Sequence, residues 1–550
     1  MNPRLAISLA AIACVVSVPT ILPMPRSFDS KPGCLVLPSD FQLVPSGPGA
    51  SDAYLLSAIT RANAARSTSA SRAEKIDVCD AAAGGGTLAK LTVFVAEVRG
   101  AAGAFPALAD DESYTLSLSA GAASELRANS VWGALRGLES FSQLLASARG
   151  GTGLFVAAAA VSVDDAPRWS HRGLLVDTGR AFLPVSLLLA TLDAMSYAKL
   201  NVLHWHISDD QAFPIVSTTF PNLTMGAMQA PAMSHTYAPA DVASIIQAAA
   251  ERGIRVMPEF DVPGHSTSWF AGFPFLQTVC DCPDCGATFS KPMDPTLEST
   301  YDVVGGLFTE MISVFPDAFF HIGGDEVDPL CWMNNSDIYA FMKAHDYTTY
   351  AQLQGYFEQR ALAMFPASKR VVMWEENAGA GSVYPEGVIV HAWKERAGDD
   401  SVLYNLTRAN YTVLYTTPSW YLDWDTGDTD AHVNSPTGWA AYHANNPGTS
   451  LSPEQQKLFL GGEVAAWNLL EDSTNFMSVV FPRAAAVAER LWSPDCAAVD
   501  DPTNLLIRMR DFRCRLVARG IDAAPVELAG SCGNTGERVY SPPYASGRDL

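Results

Sequence analysis

After Pro167 the sequence alternates strand-like apolar runs with helix-like stretches, which is the pattern of repeated βα units. The strand-like runs lie at 173–180, 200–210, 254–264, 319–326, 370–376, 388–395, 412–422 and 459–470. This is the number of units that closes a (β/α)8 barrel, so we predict an α/β protein with a barrel over 166–550. A doubly wound open sheet is the structural alternative.

The residues before this region predict a separate small domain. Over 27–163 the chain is rich in Ala, Gly and Ser, with two strand-like runs at 91–98 and 113–119 and an amphipathic helical pattern from Val131. Turn-forming residues at 164–167 mark its end. We therefore predict a small α+β domain that supports the barrel and carries no chemistry of its own.

The N-terminal segment 1–23 contains Arg4 followed by a short apolar run, which predicts a cleaved signal peptide. An uncleaved membrane anchor is the alternative. Once Cys14 is removed, nine of the ten cysteines remain. Asn-x-Ser/Thr acceptor sites for glycosylation occur at Asn222, Asn334, Asn405 and Asn410. Together these features indicate the secretory pathway, with a lysosomal or extracellular destination.

The cysteine spacing suggests several disulfides but does not fix them. Plausible pairs are Cys514 with Cys532 and Cys34 with Cys79, while Cys331 could bridge to Cys280, Cys282 or Cys285. The cysteine cluster at 280–285 could alternatively bind zinc, but no second CxxC with zinc spacing follows it.

The charge balance restricts the partners. The chain has 36 Lys+Arg against 58 Asp+Glu, a net charge of -22 and a pI near 4.8. An acidic surface argues against nucleic acid or an anionic membrane as a partner. No stretch of the sequence identifies an interface between subunits.

The ends of the strand-like runs carry acidic and aromatic side chains. They are Asp177, Arg180, Asp209, Asp210, Asp261, His265, Asp325, Glu326, Trp374, Glu375, Trp393, Trp420, Tyr421, Asp423, Glu463 and Trp467. A barrel brings these ends to one rim. Indole rings stack on the apolar face of a sugar, and carboxylates and arginines bind its hydroxyls, so we predict a sugar pocket.

The adjacent pair Asp325 and Glu326 is the candidate catalytic centre. It follows a buried strand and two glycines, Gly323 and Gly324, which could let both side chains reach one cavity. Two like charges in a partly dry site should raise one of the two pKa values, which suits an acid catalyst beside a charged partner. The alternative is a solvated Asp-Glu pair in a loop.

A metal site is a second possibility. His204-x-His206 has the spacing of metal ligands on one face of a strand, and His171, His265, His321 and His391 could complete the site. Against this, His204 and His206 lie in mid-strand, where a histidine satisfied by core hydrogen bonds is more common.

Five segments of the chain closely resemble a known enzyme family. They are HRGLLVDTGRAFLPV, LDAMSYAKLNVLHWHISDDQAFP, RGIRVMPEFDVPGH, HIGGDEVDPLCW and PRAAAVAERLWS. They resemble the β-N-acetylhexosaminidases of glycoside hydrolase family 20, of the eukaryotic lysosomal or secreted type. The resemblance implies a small domain before a (β/α)8 barrel, no metal or other cofactor, an oligosaccharide or glycoconjugate substrate and a homodimer.

The resemblance also implies the reaction and the roles of residues. It implies exo-hydrolysis of terminal N-acetylglucosamine or N-acetylgalactosamine with retention, in which the substrate's own 2-acetamido oxygen attacks the anomeric carbon. Glu326 would be the general acid and base, Asp325 would hold the acetamido N–H, and Tyr421 would bind the acetamido oxygen.

The remaining residues implied by the resemblance bind the sugar or tune the acid. Asp209 and His265 would tune Glu326, and Arg172 would bind the ring hydroxyls. The pocket walls and the contact to the 4- and 6-hydroxyls would be Trp374, Trp393, Trp467 and Asp423. A carboxylate at Asp423 predicts a preference for neutral sugars.

One departure from the family pattern concerns the residues after Trp467. The family usually has Gly-Glu there, whereas this chain has Asn468-Leu469, with Glu471 and Asp472 as candidate replacements. Loss of that carboxylate leaves open a catalytically impaired glycan-binding protein as the alternative to an enzyme. A turnover assay separates the two.

Overall fold

The computed structural model describes most of the chain after the N-terminal segment. The described residues are 20–72, 75–76, 86–99, 105–121, 123–148, 153–230, 233–280, 291–379, 384–395, 398, 400–422, 438–527 and 532. Within these ranges, no helix is both long and apolar enough to cross a membrane.

The small domain contains two sheets and two helices. Its elements are β1 Ser27–Lys31, β2 Leu35–Leu37, β3 Gln42–Ser46, α1 Ala53–Arg72, β4 Lys75–Ile76, β5 Gly86–Thr87, β6 Lys90–Val95, β7 Tyr114–Ser119, β8 Glu125–Ala128, α2 Val131–Gln143, β9 Leu145–Ala148, β10 Leu154–Val156 and β11 Ala160–Asp165. One sheet has the order β1-β11-β7-β8-β6-β3 and the other β4-β9-β10-β2-β5. Alternate residues of β7 are buried, as a sheet with one covered face requires. The Ser130 side chain caps α2 by accepting a hydrogen bond from the Gly133 N–H.

Eight parallel strands form a closed barrel in the order β12-β13-β16-β17-β18-β19-β20-β21. The strands from β12 onward are β12 His171–Asp177, β13 Val202–Ser208, β14 Gln229–Ala230, β15 Met233–Ser234, β16 Arg255–Phe260, β17 Phe319–His321, β18 Arg370–Trp374, β19 Ile389–Ala392, β20 Thr412–Tyr415 and β21 Phe459–Ala466. The predicted (β/α)8 barrel is confirmed, and the open doubly wound sheet is wrong.

Helices and loops connect the barrel strands. The helices are α3 Val185–Tyr197, α4 Pro239–Ala250, α5 Glu298–Val314, α6 Leu330–Met333, α7 Ser336–Ala344, α8 Tyr350–Leu362, α9 Glu376–Gly379, α10 Ser401–Arg408, α11 Gly438–Ala444, α12 Pro453–Gln456, α13 Phe476–Val480, α14 Arg483–Trp492, α15 Ala497–Asp500 and α16 Pro502–Ala518. Their apolar faces pack on the strands in one continuous hydrophobic core.

The residues at the start of the described chain bear on the predicted signal-peptide boundary. Ile21 and Leu22 are fully buried, and the Leu22 N–H donates to Oε1 of Gln143 at 2.8 Å. Cleavage after Pro23 would remove both apolar side chains from the folded cores. The boundary at 1–23 stays a prediction, and these contacts favour a cleavage site before Ile21.

Two of the suggested disulfides are present. Cys514 pairs with Cys532, and Cys331 pairs with Cys280. Cys34 is also disulfide-bonded, whereas Cys79, its suggested partner, lies outside the described residues. The Cys280–Cys331 bridge ties the loop after β16 to helix α6, so it braces the loops next to the candidate catalytic pair.

Candidate active site

Aromatic side chains from four strand ends form one wall of a pocket at the rim of the barrel. Trp374, Trp393, Tyr421 and Trp467 belong to one apolar cluster, together with Leu175 and Ala465 from the strands below. The Trp467 ring centroid lies 6.0 Å from that of Trp374 and 5.9 Å from that of Tyr421. The structure therefore brings together four of the five aromatic residues predicted at the strand ends. The fifth, Trp420, is fully buried in the core, where its indole donates to the Tyr442 carbonyl at 3.0 Å.

The loop after β17 brings Asp325 and Glu326 to the same imidazole, that of His265. Gly323 and Gly324 have φ values of 68° and 97°, and Glu326 itself has a φ of 45°. This left-handed backbone ends the strand at His321, which is why the predicted strand 319–326 is too long. Because the chain leaves the pleat, adjacent side chains do not point to opposite faces. Asp325 is 14% exposed and Glu326 is 59% exposed.

His265 connects these two carboxylates to Asp209. Its Nε2 lies 3.5 Å from Oε2 of Glu326 and 3.7 Å from Oδ2 of Asp325. Its Nδ1 lies 3.3 Å from Oδ1 of Asp209, whose other oxygen contacts Nε2 of His206 at 3.0 Å. The imidazole thus bridges the catalytic pair and a buried carboxylate, as predicted for a residue that tunes the acid.

The charges around His265 set the pKa values at this site. Burial alone would lower the pKa of His265, but Asp325, Asp209 and Glu326 outweigh it and raise the pKa well above its usual value. The hydrogen bond from His265 in turn lowers the pKa of Glu326. The predicted rise is therefore wrong for Glu326, because a cation lies beside it. A raised pKa is found instead at Asp261, where burial and the charge of Asp325 act together.

Arg172 does not lie at this pocket, which corrects its predicted role. It is fully buried near the start of β12, at the opposite end of the strand from Asp177. Its guanidinium donates to Oε2 of Glu112 in the small domain at 2.7 Å and to the Lys199 carbonyl at 3.0 Å. Arg172 therefore joins the two domains.

Arg180 is the arginine at the rim. Its guanidinium lies 2.8 Å from Oδ2 of Asp177 and 3.0 Å from Oδ2 of Asp209, and it stands over the Trp467 ring at 5.0 Å. Both neighbouring carboxylates keep it ionised and fix its position. Arg180 was among the residues predicted at the strand ends, together with Asp177. Its position at the rim could therefore be predicted from the sequence.

Exchanging each arginine for glutamine should separate the two roles. We expect Arg172→Gln to lower the free energy of unfolding by about 3 kcal/mol, because it breaks a buried ion pair, and to leave KM nearly unchanged. Arg180→Gln should raise KM at a smaller cost in stability. Denaturant unfolding and steady-state kinetics on both variants test this, and a raised KM in a fully stable Arg172→Gln would restore the original assignment.

Two other acidic residues were not singled out as site residues by sequence reasoning. Glu376 accepts a hydrogen bond from the Trp393 indole at 3.0 Å, and burial together with the charge of Asp325 raises its pKa to about 7. Glu259 accepts one from the Trp374 indole at 2.9 Å. Each holds one wall of the pocket in place. Glu376 lies two residues after the end of strand β18, so the strand-end pattern could have found it.

The histidines in the barrel interior are paired with carboxylates. His204 Nδ1 lies 2.7 Å from Oε2 of Glu463, His204 Nε2 lies 2.9 Å from Oε2 of Glu259, and His206 Nδ1 lies 2.6 Å from the same Glu259 oxygen. Both nitrogens of His206 and Nδ1 of His204 are hydrogen-bonded to buried carboxylates, as the core interpretation of His204-x-His206 requires, whereas Nε2 of His204 has no hydrogen-bond partner among the described residues. Several sets of these groups are close enough to hold a metal, for example His204, His391 and Glu463, whose ligand atoms lie within 4.8 Å of one another.

The segment after Trp467 differs from the family pattern in structure as well. The Asn468 amide is buried and donates to the Asp177 carbonyl, whereas Leu469 is 55% exposed. Asp472 accepts hydrogen bonds from Thr474 in its own turn. Glu471 is almost fully buried and accepts a hydrogen bond from the Leu470 N–H. The other oxygen of Glu471, Oε1, is buried and has no hydrogen-bond partner among the described residues.

Asp423, the residue predicted to contact the 4- and 6-hydroxyls, lies outside the described residues.

Comparison with known proteins agrees with this geometry. The family model described as "Glycosyl hydrolase family 20, catalytic domain" matches residues 169–495, and one described as "beta-acetyl hexosaminidase like" matches 21–144. Human beta-hexosaminidase subunit beta is 41% identical over 433 residues, covering 78% of this chain and 74% of that protein. Mouse beta-hexosaminidase subunit alpha is 40% identical over 460 residues, covering 81% and 82%. The structure of Flavobacterium johnsoniae chitobiase aligns with a TM-score of 0.76 and 29% identity over 91% of this chain and 73% of that chain.

Proposed function

Because this chain belongs to glycoside hydrolase family 20 and is an exo-acting β-N-acetylhexosaminidase, we propose that the substrate's 2-acetamido oxygen is the nucleophile. Terminal N-acetylglucosamine or N-acetylgalactosamine is then released with retention. The observation that supports this most is that Asp325 and Glu326 both lie beside His265 at the rim of the barrel that also carries the aromatic cluster. Neither the glycan-binding nor the metal-dependent alternative is favoured.

Glu326 is the general acid and then the general base. It is the more exposed of the two carboxyl groups, so it can reach a glycosidic oxygen at the mouth of the pocket. Its lowered pKa means that the protonated form is present mainly at acidic pH. We therefore expect activity to be highest under acidic conditions and to fall as the pH rises.

Asp325 binds the acetamido N–H, and Tyr421 donates its phenol O–H to the acetamido oxygen. Asp325 is the less exposed carboxylate, which suits a group that stabilises the positive charge developing on the cyclised intermediate. Trp374, Trp393 and Trp467 enclose the acetamido methyl and the sugar ring. Holding the nucleophile in place replaces an intermolecular attack with an intramolecular one.

Arg180 and Asp423 complete the sugar site in this proposal. Arg180 takes the role of binding the ring hydroxyls, which the sequence resemblance had placed on Arg172. Asp423 contacts the 4- and 6-hydroxyls and disfavours anionic sugars through charge repulsion. With Leu469 in place of the family's carboxylate, Asp423 becomes the main acidic contact for these hydroxyls.

Aryl glycosides test the proposed function directly. An aryl β-N-acetylglucosaminide should be cleaved at acidic pH, while the aryl β-glucoside with the same leaving group should not be, because it lacks the acetamido oxygen. Equal rates on the two substrates would contradict the proposal. Tight binding without turnover would support the glycan-binding alternative.

The cellular address and assembly are further parts of the proposal. The disulfides, together with exposed acceptor sites at Asn222, Asn405 and Asn410, support the secretory pathway with a lysosomal or extracellular destination. A homodimer is supported by the curated relatives, which are described as hexosaminidase subunits. Light scattering on the purified chain would give twice the chain mass for a dimer.

A further inference from the structure

Asp261 is a fully buried carboxyl group packed against the loop that carries Asp325. It follows strand β16, and its Oδ1 accepts a hydrogen bond from the Gly324 N–H at 2.9 Å. The approach is so close that a Cβ added to Gly323 would lie 1.8 Å from this oxygen. Glycine at 323 is therefore required for Asp261 to reach the Asp325 loop.

Asp261 and Asp325 each have one buried carboxyl oxygen that lacks a hydrogen-bond donor. Oδ2 of Asp261 and Oδ1 of Asp325 are buried, and neither has a hydrogen-bond partner among the described residues. One oxygen of each carboxyl group and a His265 nitrogen lie within 4.8 Å of one another. Buried acceptors without donors are costly, and a proton on one carboxyl group would supply the missing donor for the other.

We propose that Asp261 is a positioning residue that remains protonated and donates a hydrogen bond from its carboxyl group to Asp325. This contact keeps the Asp325 carboxyl group oriented toward the substrate's acetamido N–H. The inference extends the site proposed above and rests on the role given there to Asp325.

The charged groups that face Asp261 favour this protonation. Asp325 and Glu259 are negative neighbours, whereas His265 and His206 are the imidazoles within reach. Burial is the largest cause of the raised pKa of Asp261, Asp325 adds to it, and His265 opposes it. Asp261 is fully buried while Asp325 is partly exposed, so the charge belongs on Asp325 and the proton on Asp261.

Two substitutions at Asp261 and one at Asp325 test the proposal by kinetics. Asp261→Asn keeps an uncharged donor, and we expect only a several-fold loss of kcat. Asp261→Leu has similar size but no donor, and it should lower kcat by roughly 10²-fold with little change in KM, because Asp325 is then misplaced. A loss in Asp261→Asn as large as that in Asp325→Asn would overturn the proposal.

Infrared spectroscopy tests the protonation itself. Near neutral pH the folded protein should show the C=O stretch of buried carboxylic acids, and Glu376, whose pKa is raised to about 7, contributes to this region as well. The difference spectrum between the parent protein and Asp261→Asn should therefore show the loss of one such band, and this band should be retained in Glu326→Gln. A spectrum of Asp261→Asn that has lost no carboxylic acid band would overturn the proposal. This measurement does not depend on turnover. If Asp325→Asn proves fully active, the proposed role of Asp325 is wrong, but the infrared band still shows whether Asp261 is protonated.

A divalent cation between Asp261, His265 and Asp325 would satisfy the same oxygens in a different way. The proposal therefore predicts full activity after dialysis against a strong chelator. Activity that is lost on dialysis and restored by added metal ions would overturn it.

Discussion

Glu326→Gln should lower kcat by about 10²–10⁴-fold on natural glycosides, whose leaving groups are poor, because the glutamine amide cannot protonate the departing oxygen. On an aryl glycoside with an acidic phenol the loss should be much smaller, since that phenolate leaves without a proton. The measurement is kcat for a series of leaving groups, and the dependence on leaving-group pKa should be steeper in the variant.

Asp328→Asn is a matched control for this experiment. It makes the same carboxyl-to-amide change two residues further along the same loop, where Asp328 accepts a hydrogen bond from the Leu330 N–H. Its effect should be small and independent of the leaving group. An equal loss of kcat across all leaving groups in Glu326→Gln would show that Glu326 does not transfer the proton.

Asp325→Asn should lower kcat by about 10²–10³-fold on every substrate, because a neutral amide cannot stabilise the positive charge that develops as the acetamido group cyclises. Unlike the Glu326 effect, this loss should not depend on the leaving group. KM should change less than kcat, since the contact strengthens in the transition state.

Asp328→Asn serves as the control for the Asp325 variant as well. It makes the same carboxyl-to-amide change three residues further along the same loop, where the Asp328 carboxylate accepts a hydrogen bond from the Leu330 N–H that an asparagine oxygen can keep. Near-normal activity in Asp325→Asn would mean that this carboxylate is not needed for acetamido participation.

The barrel could be predicted from sequence because each strand is a continuous apolar run, as expected for strands buried on both faces. The ends of the strands were less predictable. The run at 319–326 extends through Gly323 and Gly324, and only the left-handed backbone in the structure shows that the strand stops at His321. The same left-handed backbone brings Asp325 and Glu326 together. The feature that made the predicted strand too long is therefore also the feature that forms the candidate site.

Arg172 and Arg180 show why a motif alone does not place a side chain. Both belong to the same matching segment, but Arg172 is the second residue of strand β12, whose seven residues span about 20 Å, and Arg180 follows the other end of that strand. Arg172 therefore lies at the small domain and Arg180 at the pocket. The number of residues in the strand predicts that the two arginines lie far apart. The contact between Arg172 and Glu112 is a tertiary contact that the sequence does not predict.

The pKa of Glu326 could not be predicted from the pair of carboxylates alone. The sequence predicts repulsion between neighbouring charges, whereas the structure places the His265 imidazole beside both carboxylates. His265 comes from a different strand end, 61 positions from Glu326 in the numbering of the chain. A tertiary contact of this kind reverses the direction of the shift, as the opposite charge outweighs burial.

The participation of the substrate's acetamido oxygen is tested most directly by weakening that oxygen as a nucleophile. Aryl β-glycosides carrying acetyl, monofluoroacetyl, difluoroacetyl and trifluoroacetyl groups on the 2-nitrogen share one leaving group and differ mainly in the basicity of the carbonyl. We expect log(kcat/KM) to fall steeply and steadily along this series. A flat series, or a glycosyl group trapped covalently on a protein carboxylate, would contradict the mechanism.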